Sequence, residues 1–140
     1  MERVHASQVL KSAGERVLVQ GWVQETRSFG GLKFIILKDR SGYIQITLPK
    51  KEVKKEIFEL VDSLTKESVV YVVGKAKKSD KALMHAEIIP EKIEMVSLAR
   101  APTPIDTSGK IQSDLSVRLD HRFLDVRNKK SIALFTIRSK

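Results

Sequence analysis

Between Arg16 and Pro49, apolar and polar side chains alternate through three short runs, separated by two turns that contain glycine, Gly30-Gly31 and Asp39-Arg40-Ser41-Gly42. Alternation with period two marks strands that bury one face and expose the other, and turns this short join antiparallel neighbours. In the first run Val17, Val19 and Val23 share one face while Gln20, Trp22 and Gln24 take the other. Gly21 interrupts that run, and a missing side chain in mid-strand points to a bulge or to the sharp bend that closes small barrels. The run ends at Arg27, beside the turn Ser28-Phe29-Gly30-Gly31. In the second run Phe34 and Ile36 alternate with Ile35 and Leu37, and in the third Ile44, Ile46 and Leu48 oppose Tyr43, Gln45 and Thr47 until Pro49 ends the ladder.

Beyond the meander the period changes. Val53, Ile57, Leu60, Val61 and Leu64 recur at helical spacing among charged neighbours, which predicts an amphipathic helix over 51–64. Val69 to Lys77 is β-branched and apolar around Gly74, and alternation resumes from Leu83 to Ser97 with Pro90 inside it, so a strand is expected there that bends or is interrupted. Lys75 to Lys81 is read as the basic tip between these two strands. His5 to Leu10 is a short helix or loop, stopped near Gly14. Three strands, a helix and two strands make the layout of an all-β, five-stranded OB-fold barrel with its helix between strands 3 and 4. SH3-like barrels share parts of this pattern.

The prolines of Arg100-Ala101-Pro102-Thr103-Pro104-Ile105 each fix their own φ and restrain the residue before. This extended stretch sets the expected boundary between a barrel domain, residues 1–104, and a hinge segment, residues 105–140. From Asp106 to Lys140 there are eight Lys+Arg and four Asp+Glu, and apolar residues such as Leu115, Leu119, Phe123 and Leu124 are too few for a core of their own. A helix is expected to begin near Ser131 and to be cut off at Lys140.

A chain of 140 residues suffices for one ordinary domain and an appendage. With 26 Lys+Arg against 17 Asp+Glu its formal charge is +9, which suits a polyanion such as RNA or DNA, although lysines also simply keep proteins dispersed. Without cysteine there are no disulfides and no thiolate metal sites. His5, His85 and His121 show no metal-ligand spacing, so no metal site is expected. The N-terminus lacks the layout of a signal peptide and no apolar run approaches the ~18 residues needed to span a bilayer, so a cytoplasmic protein with no membrane partner is expected. No nucleophile–base pair, phosphate-binding glycine loop or paired acid site is present, and no catalytic residue is expected.

Four residues carry the chemistry of base recognition. If Ile35 and Leu37 are core, Phe34 is an exposed aromatic of the kind that stacks on unpaired bases; otherwise it is core itself. Gln45 can donate and accept at once, which suits the edge of a splayed base, or it is a solvated strand glutamine. Arg27 can pair with phosphate or stack on a base, yet strict alternation puts it on the Val23 face, so a bulge or an exit from the core must be assumed. Glu87, beside His85 and Ile89, either accepts from a base amine such as cytosine N4 or forms a structural salt bridge. The lysines at 50, 51, 54, 55, 75, 77, 78 and 81 track a phosphate backbone only if they gather in space.

Taken together, Gly21-Trp22-Val23, then Gly30-Gly31-Leu32-Lys33-Phe34-Ile35-Ile36-Leu37-Lys38-Asp39, then Ile44-Gln45-Ile46, resemble the N-terminal anticodon-binding OB-fold of class IIb aminoacyl-tRNA synthetases. Pro104-Ile105-Asp106-Thr107-Ser108-Gly109-Lys110, followed by Arg118-Leu119-Asp120-His121-Arg122-Phe123-Leu124-Asp125-Val126-Arg127, resembles the hinge of the aspartyl-tRNA synthetase family, archaeal and eukaryotic type. The resemblance implies a module that reads the tRNA(Asp) anticodon loop. By position it implies that Phe34 stacks on an anticodon base, that Gln45 and Glu87 contact bases, and that Arg27 is a basic contact. The resemblance implies that residues 105–140 are the hinge and the beginning of a class II catalytic domain; ATP and Mg, the class II motifs and most of the parent's homodimer interface are implied only for the rest of that domain, so no cofactor is expected in this chain. The alternative is a general single-stranded nucleic-acid-binding OB module without anticodon preference.

Overall fold

The computed structural model describes residues 2–140, with Leu83 described by its backbone alone. The chain divides into two compact units, Met1–Ala101 and Pro102–Lys140.

The first unit contains β1 (Arg16–Phe29), β2 (Leu32–Asp39), β3 (Gly42–Pro49), α1 (Lys55–Ser63), β4 (Val69–Lys78) and β5 (Ala86–Ser97). The strands close in the order β1-β2-β3-β5-β4, which is the expected OB-fold barrel with its helix between the third and fourth strands. Closure depends on β1, which pairs with β4 over Arg16–Trp22 and with β2 over Trp22–Phe29. Gly21 lies where the strand changes partner, and a Cβ there would sit 2.3 Å from the Lys38 carbonyl oxygen, so only glycine allows the approach. The bulge itself follows a few residues later, with the register slipping between Val23 and Glu25. On the far side the expected bend at Pro90 is present, opposite Gly74, where an added Cβ would meet the Ile89 carbonyl oxygen at 2.2 Å. The last seam, β3 with β5, is parallel and only two residue pairs long, Gln45↔Glu87 and Ile46↔Ile88.

Inward side chains of all five strands form one core, including Val19, Ile35, Leu37, Ile44, Ile46, Leu48, Val72 and Ile88, and α1 adds Ile57, Phe58 and Val61. Lys33 is buried as well. Its ammonium donates to the Phe58 carbonyl (2.9 Å) and to Asp62 Oδ2 (2.6 Å) and lies 4.3 Å from the Phe58 ring centre, so its charge is paired and β2 is tied to α1.

Four boundaries differ from the sequence reading. The helix begins at Lys55 rather than Lys51, because the Pro49 carbonyl accepts from the amides of Glu52 and Val53 and forms a turn first, with Lys54 extended. Val53 is nevertheless buried, which is why it fitted the helical stripe. Lys75 to Lys78 belong to β4, paired with Ile89 to Ala86, so they are strand residues and not a tip. The connection instead runs through Ser79 to a 3-10 turn at Leu83–His85, with Met84 and His85 in the left-handed region (φ 64° and 55°), and β5 starts only at Ala86. Finally, β1 continues past Arg27 to Phe29, leaving Gly30-Gly31 alone as the turn, with Gly30 at φ 57°.

The N-terminal segment forms a 3-10 helix, Ala6–Ser12. Asp39, at the β2–β3 turn, accepts from the Ala6 amide (2.9 Å), the Ser41 amide and hydroxyl (both 2.7 Å) and the Gly42 amide (3.1 Å). Burial opposes its charge, yet the donors from Ser41, Ala6 and His5 outweigh it and hold the carboxyl below its usual value.

The second unit is more helical than its sequence suggested. Besides the expected C-terminal helix, α4 (Lys129–Arg138), it contains α2 (Leu115–Asp120) and α3 (Arg122–Asp125). Asn128 caps α4 by accepting from the Lys130 amide (3.0 Å), which sets its start two residues before Ser131. Asp125 accepts from Arg118 Nε (2.7 Å), an Arg122 guanidinium nitrogen (2.6 Å) and the Ser131 hydroxyl (3.3 Å), joining the three helices. Asp106 folds the preceding loop by accepting from the Ser108 hydroxyl and the amides of Ser108, Lys110 and Ile111 at 2.6 to 3.1 Å. Among the described residues no helix is long and apolar enough to cross a membrane.

Candidate nucleic-acid interface

The outer surface of the barrel is built as rows of side chains running across the strands. Residues directly paired in neighbouring strands face the same way, so the registers give one row as Glu25, Ile36, Gln45, Glu87 and Lys77, spanning all five strands. The adjacent row is Arg27, Phe34 and Thr47. All four residues singled out in the sequence therefore lie in two neighbouring rows of one face.

Arg27 reaches this face because of the bulge. The extra residue between Val23 and Glu25 reverses the alternation, so Thr26 pairs with inward Ile35 and Arg27 pairs with outward Phe34. Its guanidinium donates to Glu25 Oε2 at 3.0 Å, and that hydrogen bond and the Glu25 charge raise its pKa further, so Arg27 stays cationic. Phe34 is half-buried while Ile35 and Leu37 are fully buried, so its ring lies on the outer face with one part open to solvent.

Gln45 and Glu87 meet at the two-pair seam that closes the barrel. Between them stands Thr47, whose hydroxyl donates to Glu87 Oε2 (2.7 Å) and accepts from the Gln45 amide nitrogen (3.1 Å). This relay holds the glutamine amide and the carboxylate in one arrangement. It leaves Glu87 Oε1, the Gln45 carbonyl oxygen and the second Gln45 amide hydrogen unused by the relay, a set of acceptors and a donor suited to a base edge. Among the described residues the ion pairs do not include Glu87, whose carboxylate accepts from the Thr47 hydroxyl.

Two residues of the face escaped the sequence reading. The sequence marks Thr47 only as an outward strand position; its sign is its place two residues beyond Gln45, on the same face. Phe29 was assigned to a turn, but it ends β1 and is 66% exposed, with its ring edge-to-face with Phe34 at 6.2 Å between centres and 69° between planes. The signal was the extra length of β1, hidden by the bulge.

The lysines at 50, 51, 54, 55, 75, 77, 78 and 81 are all exposed. Lys75 and Lys77 share a face of β4, Lys77 extending the Gln45–Glu87 row and lying 3.7 Å from Glu52. Among the described residues no three acidic or histidine side chains lie together as a metal site would require.

Residues 17–96 match the family model described as an OB-fold nucleic acid binding domain, tRNA anti-codon. The aspartate–tRNA(Asp) ligase of Pyrococcus horikoshii is 47% identical over 141 residues, covering 99% of this chain and 32% of that protein. The aspartate–tRNA(Asp/Asn) ligase of Methanopyrus kandleri is 48% identical over 126 residues, covering 90% and 29%. Among solved structures, asparaginyl-tRNA synthetase from Pyrococcus horikoshii complexed with asparaginyl-adenylate superposes with a TM-score of 0.89 at 28% identity, covering 99% of this chain and 32% of that one. The chain thus spans 32% of the length of the Pyrococcus ligase it matches.

Proposed function

Since the chain belongs to the family of OB-fold nucleic acid binding domains of the tRNA anticodon type, we propose that its outer face reads the anticodon loop of tRNA(Asp) for an aspartate–tRNA ligase. The observation that carries this reading is the Gln45–Thr47–Glu87 relay beside Phe34, a fixed set of base-edge partners next to a stacking ring. Phe34 stacks on one unpaired base, Gln45 and Glu87 exchange hydrogen bonds with base edges, and Arg27 neutralises a phosphate or stacks in turn. Phosphate contacts set affinity and position, whereas base contacts set sequence choice. In the parent ligase, aspartate is attached to tRNA in an ATP-dependent reaction, whose chemistry we assign to a separate catalytic domain. This chain supplies recognition.

The test is binding of anticodon stem-loop RNAs by this chain across a range of salt. The aspartate loop is expected to bind more tightly than unrelated loops at every salt concentration, the preference persisting as the phosphate contribution is screened. Equal affinity for all loops, and for single-stranded DNA, would establish the general single-strand binder instead. Gln45→Ala is expected to flatten discrimination among anticodon bases more than it lowers overall affinity, whereas a uniform loss across loops would give Gln45 a folding role.

A further inference from the structure

A lone exposed phenylalanine means little, because single apolar side chains are common on protein surfaces. Phe29 is different in its company. It pairs with Leu32, so Phe34 is its diagonal neighbour across the β1–β2 hairpin, within reach of an aromatic ring. The two rings stand 6.2 Å apart at 69°, on the face that holds Arg27, Gln45 and Glu87. The space around the hairpin turn is open: a Cβ added at Gly30 or Gly31 would meet nothing within 4 Å. Cations flank it, with Arg27 two residues before Phe29 and exposed Lys50 bonded through its amide to the Gly31 carbonyl (2.9 Å).

We infer that Phe29 is a second stacking surface, taking the unpaired RNA base next to the one held on Phe34, with the strand turning sharply between the two. The inference rests on the anticodon-loop reading and deepens it. A base stacks with its plane nearly parallel to the ring beneath it. Bases lying flat on rings inclined by 69° are therefore steeply tilted to each other and cannot stay stacked together. A duplex or a continuously stacked strand cannot satisfy both rings, whereas a loop with splayed bases can. The turning backbone brings phosphates close together, and exposed Lys50 beside the turn, with Arg27 where a phosphate displaces Glu25, meets that crowding with positive charge.

The experiment uses the 140-residue chain and a hairpin RNA carrying the aspartate anticodon, with 2-aminopurine placed at each loop position in turn. That probe brightens when its base leaves the stack of its neighbours. With the unmodified protein, two adjacent positions are expected to brighten on binding. Phe29→Ala is expected to lower affinity at least about tenfold and to abolish the change at one of them, with Phe34→Ala abolishing the other. Phe29→Trp is expected to keep both, and Phe29→Leu, apolar but unable to stack, to behave as Phe29→Ala. Circular dichroism should show an unchanged fold, the side chain being mostly solvent-exposed. Affinity within about twofold after Phe29→Ala would overturn the inference. So would a loss that vanishes in a Phe34→Ala background, because Phe29 would then only prop the other ring. Failure of the underlying reading looks different: the unmodified chain itself would show no preference for the aspartate loop.

Discussion

The two units of the chain hold their shapes by different means. In the barrel, Ile35, Ile46, Leu48 and Ile88 are 0% exposed, and the backbone follows from which side chains must leave water. In the C-terminal unit Phe123 is 69% and Ile137 74% exposed, and of the large apolar side chains only Ile105 and Leu124 are buried. What organises that unit is polar: Asp106 gathers the amides and hydroxyl of its loop, and Asp125 gathers two arginines and a serine. The difference teaches that a segment with little apolar burial can still have a defined backbone where a carboxylate collects several donors. Such shape is more exposed to pH and salt than a packed core.

The comparison can be tested at four strengths. Ile46→Ala removes a fully buried side chain from the barrel core and is expected to cost about 2–5 kcal/mol in chemical denaturation. A value below ~1 kcal/mol would mean that burial is not what holds the barrel. Phe34→Ala acts on the outer face of the same sheet, at a half-buried ring, and is expected to cost clearly less stability than Ile46→Ala while weakening loop RNA by about 1–3 kcal/mol. A stability loss as large as that of Ile46→Ala would return Phe34 to the core.

The third test is acid. Asp125 is held below its usual value by the hydrogen bond from Arg118, against the opposing effect of burial, with Arg122 adding to the depression. Asp39 is depressed too, although by neutral donors for the most part. A depressed carboxyl contributes stability that is fully present above its unfolded value, about 3.9, and is lost as pH falls through the lower folded value. Arg118 and Arg122 are partly exposed, so added salt screens them. Screening moves Asp125 back toward its ordinary value and shifts the loss of the helical unit to higher pH, while Asp39 moves much less. Helical circular dichroism and Trp22 fluorescence, followed through an acid titration at two salt concentrations, separate the units; identical salt shifts would refute the distinction. Smallest of all, Ile137→Ala is expected to change stability by no more than about 0.5 kcal/mol, because its side chain is already in water.

Much of the barrel was legible because burial writes itself as alternation. Val17, Val19 and Val23, then Ile44, Ile46 and Leu48, gave the correct inner face, and Gly21 and Pro90 marked real bends. The bulge after Val23 was not legible as a place, since one extra residue leaves no compositional mark. Its consequence for Arg27 could be posed as a question but not answered, and Phe29 was lost with it. The helix starts later than its period suggests because Val53 is buried in a turn, and period alone does not separate a buried turn residue from a helical one. In the C-terminal unit α2 and α3 were invisible for the opposite reason: with their apolar side chains largely exposed, no stripe announces them. At the site, Gln45 and Glu87 lie 42 positions apart, and only barrel closure explains why they are neighbours.

That closure is narrow. Every other pair of adjoining strands shares seven or more residue pairs, whereas β3 and β5 meet in two, and one of those two is Gln45 with Glu87. The sheet is thus buttoned at its thinnest margin at the very strand positions proposed above to contact a base. If Gln45 and Glu87 contact bases as proposed, a nucleotide that engages both adds a clasp across that margin and stiffens the whole cylinder.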